Sequence, residues 1–148
     1  MQFTHFTDYS LRTLIYLGVL QSRLVTTSEV AGSYGISQSH LTKVVHQLAG
    51  RGYIQTTRGK GGGMRLARLP QLINIGDVVR DMEDNIDLVE CFNAKNQSCP
   101  LLPACALKSV LAEARKNFFD TLDRYTLADL LTNQSALRKK LELQKSAR

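Results

Sequence analysis

Two helix starts lie close together, at Thr26 and at Ser37, and few small folds accommodate such a pair. Thr26-Thr27-Ser28-Glu29 has the S/T-x-x-E pattern, in which Thr26 and Glu29 cap each other's backbone amides. Tyr34-Gly35 must end that helix early. Ser37 then caps a third helix, whose apolar stripe is Leu41, Val44, Val45 and Leu48, before Gly50 and Gly52 stop it. Two short helices joined by a tight Gly-containing turn predict a helix-turn-helix. Upstream, Thr7 is expected to cap a first helix with Asp8 in its first turn, where a carboxylate suits the helix dipole. Leu11, Leu14, Ile15 and Gly18 follow at helical spacing.

The opposite face of the third helix carries Ser39, Thr42, Lys43, His46 and Gln47, with Gln38 and His40 at its start. These side chains suit base edges in the major groove, and they equally suit an ordinary solvated face. The next segment favours the first reading. Tyr53-Ile54-Gln55-Thr56-Thr57 has strand composition, Arg58-Gly59-Lys60-Gly61-Gly62-Gly63 is a basic, glycine-rich tip, and Met64-Arg65-Leu66 returns as a second strand. A hairpin there is the wing of a winged helix, with Arg58, Gly59 and Lys60 placed to meet phosphates or enter the minor groove. The glycines match neither nucleotide-binding pattern, G-x-x-x-x-G-K-[ST] or G-x-G-x-x-G opening a helix. Gln38, Ser39, His40, Thr42 and Lys43, with Ser28 from the preceding helix, complete the candidate DNA-contacting set.

Charge supports that assignment. Residues 1–70 hold eight basic side chains against Asp8 and Glu29, whereas residues 71–148 balance eleven against eleven. The whole net charge of +6 therefore lies in the first half. Such asymmetry suits a polyanion partner, though a basic solubilising surface would give the same count. No stretch approaches the roughly 20 apolar residues of a membrane span, and the N-terminus has no basic region leading into an apolar one. No membrane association and a cytoplasmic location are therefore expected.

The second half predicts a short helix with Ile75, Val78, Val79 and Met82 on one face, then a polar loop bearing Cys91, Cys99 and Cys105. Three thiols in one loop suit a metal or an iron–sulfur cluster; buried inert cysteines and a thiol–disulfide switch are the competing readings. The spacing is not C-x2-C, so ordinary zinc-ribbon geometry is unsupported. From Ala104 a long helix is expected, with Leu107, Leu111, Ala114, Phe118 and Leu122 on one stripe. That stripe is long for one small domain to cover, and pairing with a second copy would cover it. Thr126 caps a further short helix, and the end from Asn133, with Arg138, Lys139, Lys140, Lys145 and Arg148, reads as a polar flexible tail. The expected organisation is mainly α with a small β-hairpin: a winged helix-turn-helix in 1–70, a cysteine loop with dimerisation helices in 71–132, and the tail in 133–148. No catalytic constellation is evident, so an enzyme is not expected.

From about Met1 to Leu131 the chain resembles the bacterial winged-helix iron–sulfur regulators. The likeness rests on Phe6-Thr7-Asp8-Tyr9 with Leu11-Arg12, on Gly52-Tyr53, and on the wing Arg58 to Leu66. It continues through Ile75-Gly76-Asp77-Val78-Val79-Arg80, the cysteines with Cys99-Pro100-Leu101 and Pro103-Ala104-Cys105, and Tyr125-Thr126-Leu127-Ala128-Asp129-Leu130. The resemblance implies a homodimeric repressor of the nitric-oxide-sensing type on double-stranded operator DNA. It implies one cluster per subunit, of the 4Fe-4S type, on Cys91, Cys99 and Cys105, whose nitrosylation or loss weakens operator binding. In the cluster-assembly regulators of the family, a histidine three positions after the last cysteine is a ligand; here that position is Lys108. In the nitric-oxide-sensing members an aspartate near the N-terminus, given by the partner subunit, fills the place, and Asp8 matches it. The alternative is a cluster-free or 2Fe-2S winged-helix regulator that follows redox state or cluster supply.

Overall fold

The computed structural model describes residues 2–146, the last four as backbone alone. Met1, the side chain of Lys145, and Arg148 thus lie outside the described residues. Helix α1 spans His5–Val19, α2 Thr27–Tyr34 and α3 Gln38–Gly50. Strands β1 (Ile54–Thr57) and β2 (Gly63–Leu66) come next, then α4 (Ile75–Met82), α5 (Ala106–Leu122), α6 (Leu127–Leu130) and α7 (Gln134–Ser146). This is the expected mainly helical architecture with one antiparallel hairpin.

Local chemistry explains the first three helices. In α2 the reciprocal cap is present: the Glu29 amide donates to Thr26 Oγ1 (3.1 Å), and the Thr26 amide donates to Glu29 Oε2 (3.3 Å). Gly35 closes α2 in the left-handed region at φ 66°, where a side chain would be strained. Ser37 caps α3 through the His40 amide (3.3 Å). The cap of α1 is Thr4 rather than Thr7: Thr4 Oγ1 accepts from the Thr7 amide (3.3 Å). Thr7 is itself buried, and its hydroxyl donates to Glu83 at 2.6 Å, so the residue expected as the cap serves a long-range contact.

A single apolar cluster joins the helix-turn-helix to the elements beyond Pro70. Leu14, Tyr16, Leu17, Val25, Val30, Leu41, Val44 and Leu48 pack with Tyr53 and Met64 of the hairpin region. The same cluster takes in Ile73, Val78, Met82, Leu127, Leu131 and Leu141. Gly18 lets Leu131 pack closely on α1: a Cβ there would stand 2.6 Å from Leu131 Cδ1, and the leucine side chain would have to shift. The wing is fixed to the body by a bridge in which Val25 and Met64 exchange backbone hydrogen bonds of 3.0 and 2.7 Å.

Two boundaries differ from expectation. Helix α5 begins at Ala106, not Ala104, because Pro103 lies in a separate 3-10 turn, Leu102–Ala104, and Cys105 is extended (φ −82°, ψ 101°). Within the polar end, expected as a flexible tail, Gln134–Ser146 forms helix α7. Leu141 is buried, Leu137 packs against the core, and Arg138 donates to the Val19 carbonyl (3.3 Å). Leu137 and Leu141 lie one turn apart within a polar segment and meet α1 and α2. Leu141→Ala is expected to lower the unfolding free energy by about 2 kcal/mol, measured by chemical denaturation. No helix among the described residues is long and apolar enough to cross a membrane.

Candidate DNA interface and cysteine cleft

On α3, Gln38, Ser39, His40, Thr42 and Lys43 are all exposed, as is Ser28 on α2. The Thr42 hydroxyl donates to the Gln38 carbonyl (2.8 Å). The His40 ring meets Tyr9 edge-on at 5.9 Å, and Tyr9 in turn stacks on His5 at 5.6 Å. The hairpin pairs Ile54 with Leu66 and Thr57 with Gly63, which carries Arg58, Gly59 and Lys60 to an exposed tip.

Five of the eight basic side chains in residues 1–70 are engaged within the fold. Arg12 pairs with Asp8 (2.8 Å), Arg23 with Glu29 (2.5 Å) and Arg51 with Asp81 (3.3 Å). Arg68 donates to the carbonyls of Gly52 (2.9 Å) and Arg51 (2.8 Å) and lies 4.7 Å over the Tyr53 ring. Arg65, on the return strand of the hairpin, reaches across it to Gln55 at 3.3 Å. The side chains of Lys43, Arg58 and Lys60 have no hydrogen bond or ion pair among the described residues. One lies on the exposed face of α3 and two lie at the wing tip, and an unneutralised cation on an exposed surface is free to meet a phosphate.

The last turn of α4 joins this surface to the cysteine loop. Asp81 Oδ2 accepts from the Tyr53 hydroxyl (2.6 Å), and the Asp81 carbonyl accepts from Gln47 Nε2 (3.2 Å). Burial and the bond to Asp81 push the Tyr53 phenol well above its usual range. Sequence reading missed this cluster, since its members lie about thirty residues apart and carry no shared motif.

Beyond α4, Cys91 lies in the 3-10 turn Glu90–Phe92, Cys99 is exposed, and Cys105 immediately precedes α5. All three thiols are free and line one cleft of about 670 Å³, with Asn93, Asn96 and Lys108 among its other walls. Arg115 pins the base of the loop to α5: it pairs with Asp87 (2.6 Å) and lies 4.5 Å over Phe92. Among the described residues, no three His, Cys, Asp or Glu side chains converge closely enough to hold a metal ion. The donor chemistry nevertheless fits an iron–sulfur cluster, for which cysteine thiolates are the usual ligands. Asp8 does not line this cleft; it borders a different pocket with His5, Tyr9 and Tyr34, paired with Arg12. The Asp8–Arg12 pairing was legible as an i,i+4 acid–base spacing.

Helix α5 buries Phe119, under the Arg80 guanidinium at 4.6 Å, while Arg80 grips Asp123 through two 2.7 Å bonds. That double contact holds the Asp123 carboxyl below its usual range. Along the stripe, Leu111, Phe118 and Leu122 are half-buried, Ala114 is exposed, and Leu107 is 62% exposed, as is neighbouring Val110 at 60%.

Residues 3–133 match the Rrf2 family, described as iron-dependent transcriptional regulators. The HTH-type transcriptional regulator NsrR of Bacillus licheniformis is 49% identical over 142 residues, covering 95% of this chain and 99% of that protein. NsrR of Bacillus subtilis is 45% identical over 144 residues, covering 97% and 99%. Among solved structures, T. potens IscR superposes with a TM-score of 0.72 at 25% identity, covering 90% of this chain and 88% of that one. CymR, the global cysteine regulator of B. subtilis, shares the fold with a TM-score of 0.71 at 24% identity, covering 88% and 95%. These relatives are transcriptional regulators and not enzymes. The chain therefore belongs to the Rrf2 family of transcriptional regulators, among its NsrR-type members.

Proposed function

We propose that this protein is a homodimeric, operator-binding repressor in the cytoplasm whose iron–sulfur cluster reports nitric oxide. The observation that carries the reading is the set of three free thiols on one cleft in a chain whose near relatives are NsrR regulators. Residues 1–70 read DNA: Gln38, Ser39, His40 and Thr42 face base edges, Lys43, Arg58 and Lys60 neutralise phosphates, and Ser28 and Gly59 allow close backbone approach. Residues 71–132 sense and dimerise. The stripe of Leu107, Leu111, Ala114, Phe118 and Leu122, exposed at Leu107 and Ala114 and half-buried at the other three, leaves apolar surface of the kind that a second copy buries.

Cys91, Cys99 and Cys105 would hold the group, one per subunit, with Asp8 of the other subunit as fourth ligand and Lys108 excluded, since an ammonium has no lone pair to give. When bound, a 4Fe-4S cluster supplies iron sites that react with nitric oxide. The chain's own part is to tie the cysteine loop of one protomer to helix α1 of the other, and so to fix the spacing of two recognition helices. A dimer reads two half-sites, so a change in that spacing misfits the operator. Each 1.4 kcal/mol of misfit lowers affinity about tenfold.

Protein purified without oxygen tests this. The expected result is a straw-brown solution containing iron and sulfide, with operator affinity that falls when nitric oxide is added, measured by fluorescence anisotropy. A colourless protein whose operator binding ignores nitric oxide and follows thiol oxidation overturns the cluster and supports the thiol switch.

A further inference from the structure

The last turn of α4 is held from two sides. On one side, Asp81 reaches the end of α3 and the root of the wing. Its carbonyl accepts from Gln47 Nε2 (3.2 Å), its Oδ1 faces Arg51 (3.3 Å), and its Oδ2 accepts from the Tyr53 hydroxyl (2.6 Å). Two residues later, Glu83 reaches the start of α1. Its Oε2 accepts from the Thr7 hydroxyl (2.6 Å) and from the Thr4 amide and hydroxyl (both 3.1 Å). Immediately beyond Glu83 runs the loop with the cysteines, and the α1 turn that Glu83 holds is the one bearing Asp8.

These contacts are not what keeps α4 in the fold. Val78, Val79 and Met82 are almost fully buried, and that apolar contact already attaches the helix. Apolar burial is non-directional, whereas hydrogen bonds weaken steeply off axis. The Asp81 contacts therefore add an angle to an attachment that exists without them. Gln47, Arg51 and Tyr53 span the boundary between the two DNA-reading elements, so a rotation of the α4 terminus moves the recognition helix and the wing root together.

We propose that Asp81 is a positioning residue for DNA recognition: through Gln47, Arg51 and Tyr53 it sets the angle of α3 and the wing, and through it the cysteine loop acts on operator affinity. The inference rests on the cluster-dependent function proposed for the cysteine cleft. Tyr53→Phe removes one contact while keeping the ring under Arg68, and Asp81→Asn removes the charge at nearly constant shape.

The experiment uses the full-length dimer. Operator affinity is measured for the cluster-loaded and the cluster-free form at one salt concentration, with a scrambled duplex of equal length as control. Wild type is expected to show a loaded-to-free ratio in the range common for allosteric coupling, roughly 5- to 150-fold. Each variant is expected to bring that ratio to within about twofold of one, with unchanged affinity for the scrambled duplex and an unchanged visible spectrum of the loaded protein. The double variant should do no more than either single variant, as expected of residues in one network. A lower melting temperature with the wild-type ratio retained shows a merely structural role and overturns the proposal, as does an equal loss on scrambled DNA. A wild-type ratio of one instead overturns the cluster-dependent reading, a separate signature, and the inference falls with it.

Discussion

Arg58→Ala together with Lys60→Ala is expected to weaken operator binding about a thousandfold near 0.1 M salt, and to weaken binding to any other duplex by a similar factor. The magnitude follows from counterion release: each phosphate contact contributes about 0.9 to the slope of log affinity against log salt. Two contacts per protomer, doubled in a dimer, make that slope shallower by about four, or by roughly three to four orders of magnitude at 0.1 M relative to 1 M. These residues are chosen because the fold leaves them unengaged, whereas the other wing cation, Arg65, is bonded to Gln55 and is expected to change the slope far less. Arg68→Ala provides the contrast. It uncaps two backbone carbonyls and uncovers Tyr53, so it should lower thermal stability and leave the slope nearly intact. Gln38→Ala differs again, altering preference at one base position by about 1–3 kcal/mol. A salt titration of each variant, with circular dichroism confirming the fold, separates the three behaviours. A wing variant with the wild-type slope would remove the wing from the interface.

Short-range chemistry made part of the structure legible in the sequence. The Thr26–Glu29 box, the Ser37 cap and the Gly35 stop are complete within a few residues, so their pattern is also their structure. The hairpin was legible because strand composition brackets a glycine tip. The errors arose where a distant residue decides. Thr7 is a sound cap by pattern, but Glu83 takes its hydroxyl from 76 positions away, and Thr4 caps instead. The terminal helix is polar by composition, and its Leu137 and Leu141 gain meaning only against α1 and α2. For the candidate site, a count of charges could locate the excess but not say which cations remain free. Arg23, Arg51 and Arg68 are distinguished from Lys43, Arg58 and Lys60 only by partners supplied by the fold. The three cysteines were legible as a set, while their common cleft depends on the turns Glu90–Phe92 and Leu102–Ala104 and on the Arg115 contacts.

Cys91→Ser, Cys99→Ser and Cys105→Ser are each expected to abolish the cluster in protein prepared without oxygen, taking iron from roughly four atoms per protomer to near zero with complete loss of visible absorbance. A serine hydroxyl is a hard, weakly acidic donor, and it cannot replace a thiolate on iron at neutral pH. Asp8→Ala should act differently. In the single chain Asp8 is held by Arg12 one turn away, with both side chains well exposed. An exposed i,i+4 pair is worth about 0.3–0.5 kcal/mol, so Asp8 can leave Arg12 for a stronger partner at almost no cost in stability. Its loss should therefore leave folding and thiol-held iron largely in place, while shifting the visible and circular dichroism spectra of the bound cluster and blunting the response of operator binding to nitric oxide. Because Asp8 would come from the other subunit, mixed dimers supply a sharper test. In a heterodimer of one Asp8→Ala protomer and one Cys105→Ser protomer, both defects fall on one cluster or are split between two, depending on which chain supplies the aspartate. If Asp8 acts across the interface, the only protomer able to keep a cluster, the one with intact cysteines, also receives an intact Asp8 from its partner, and that cluster has the wild-type spectrum. If Asp8 acts within its own chain, the same cluster lacks its fourth ligand and shows the Asp8→Ala spectrum. The second outcome would place the aspartate in the wrong subunit and break the proposed tie between the cysteine loop and the partner's α1.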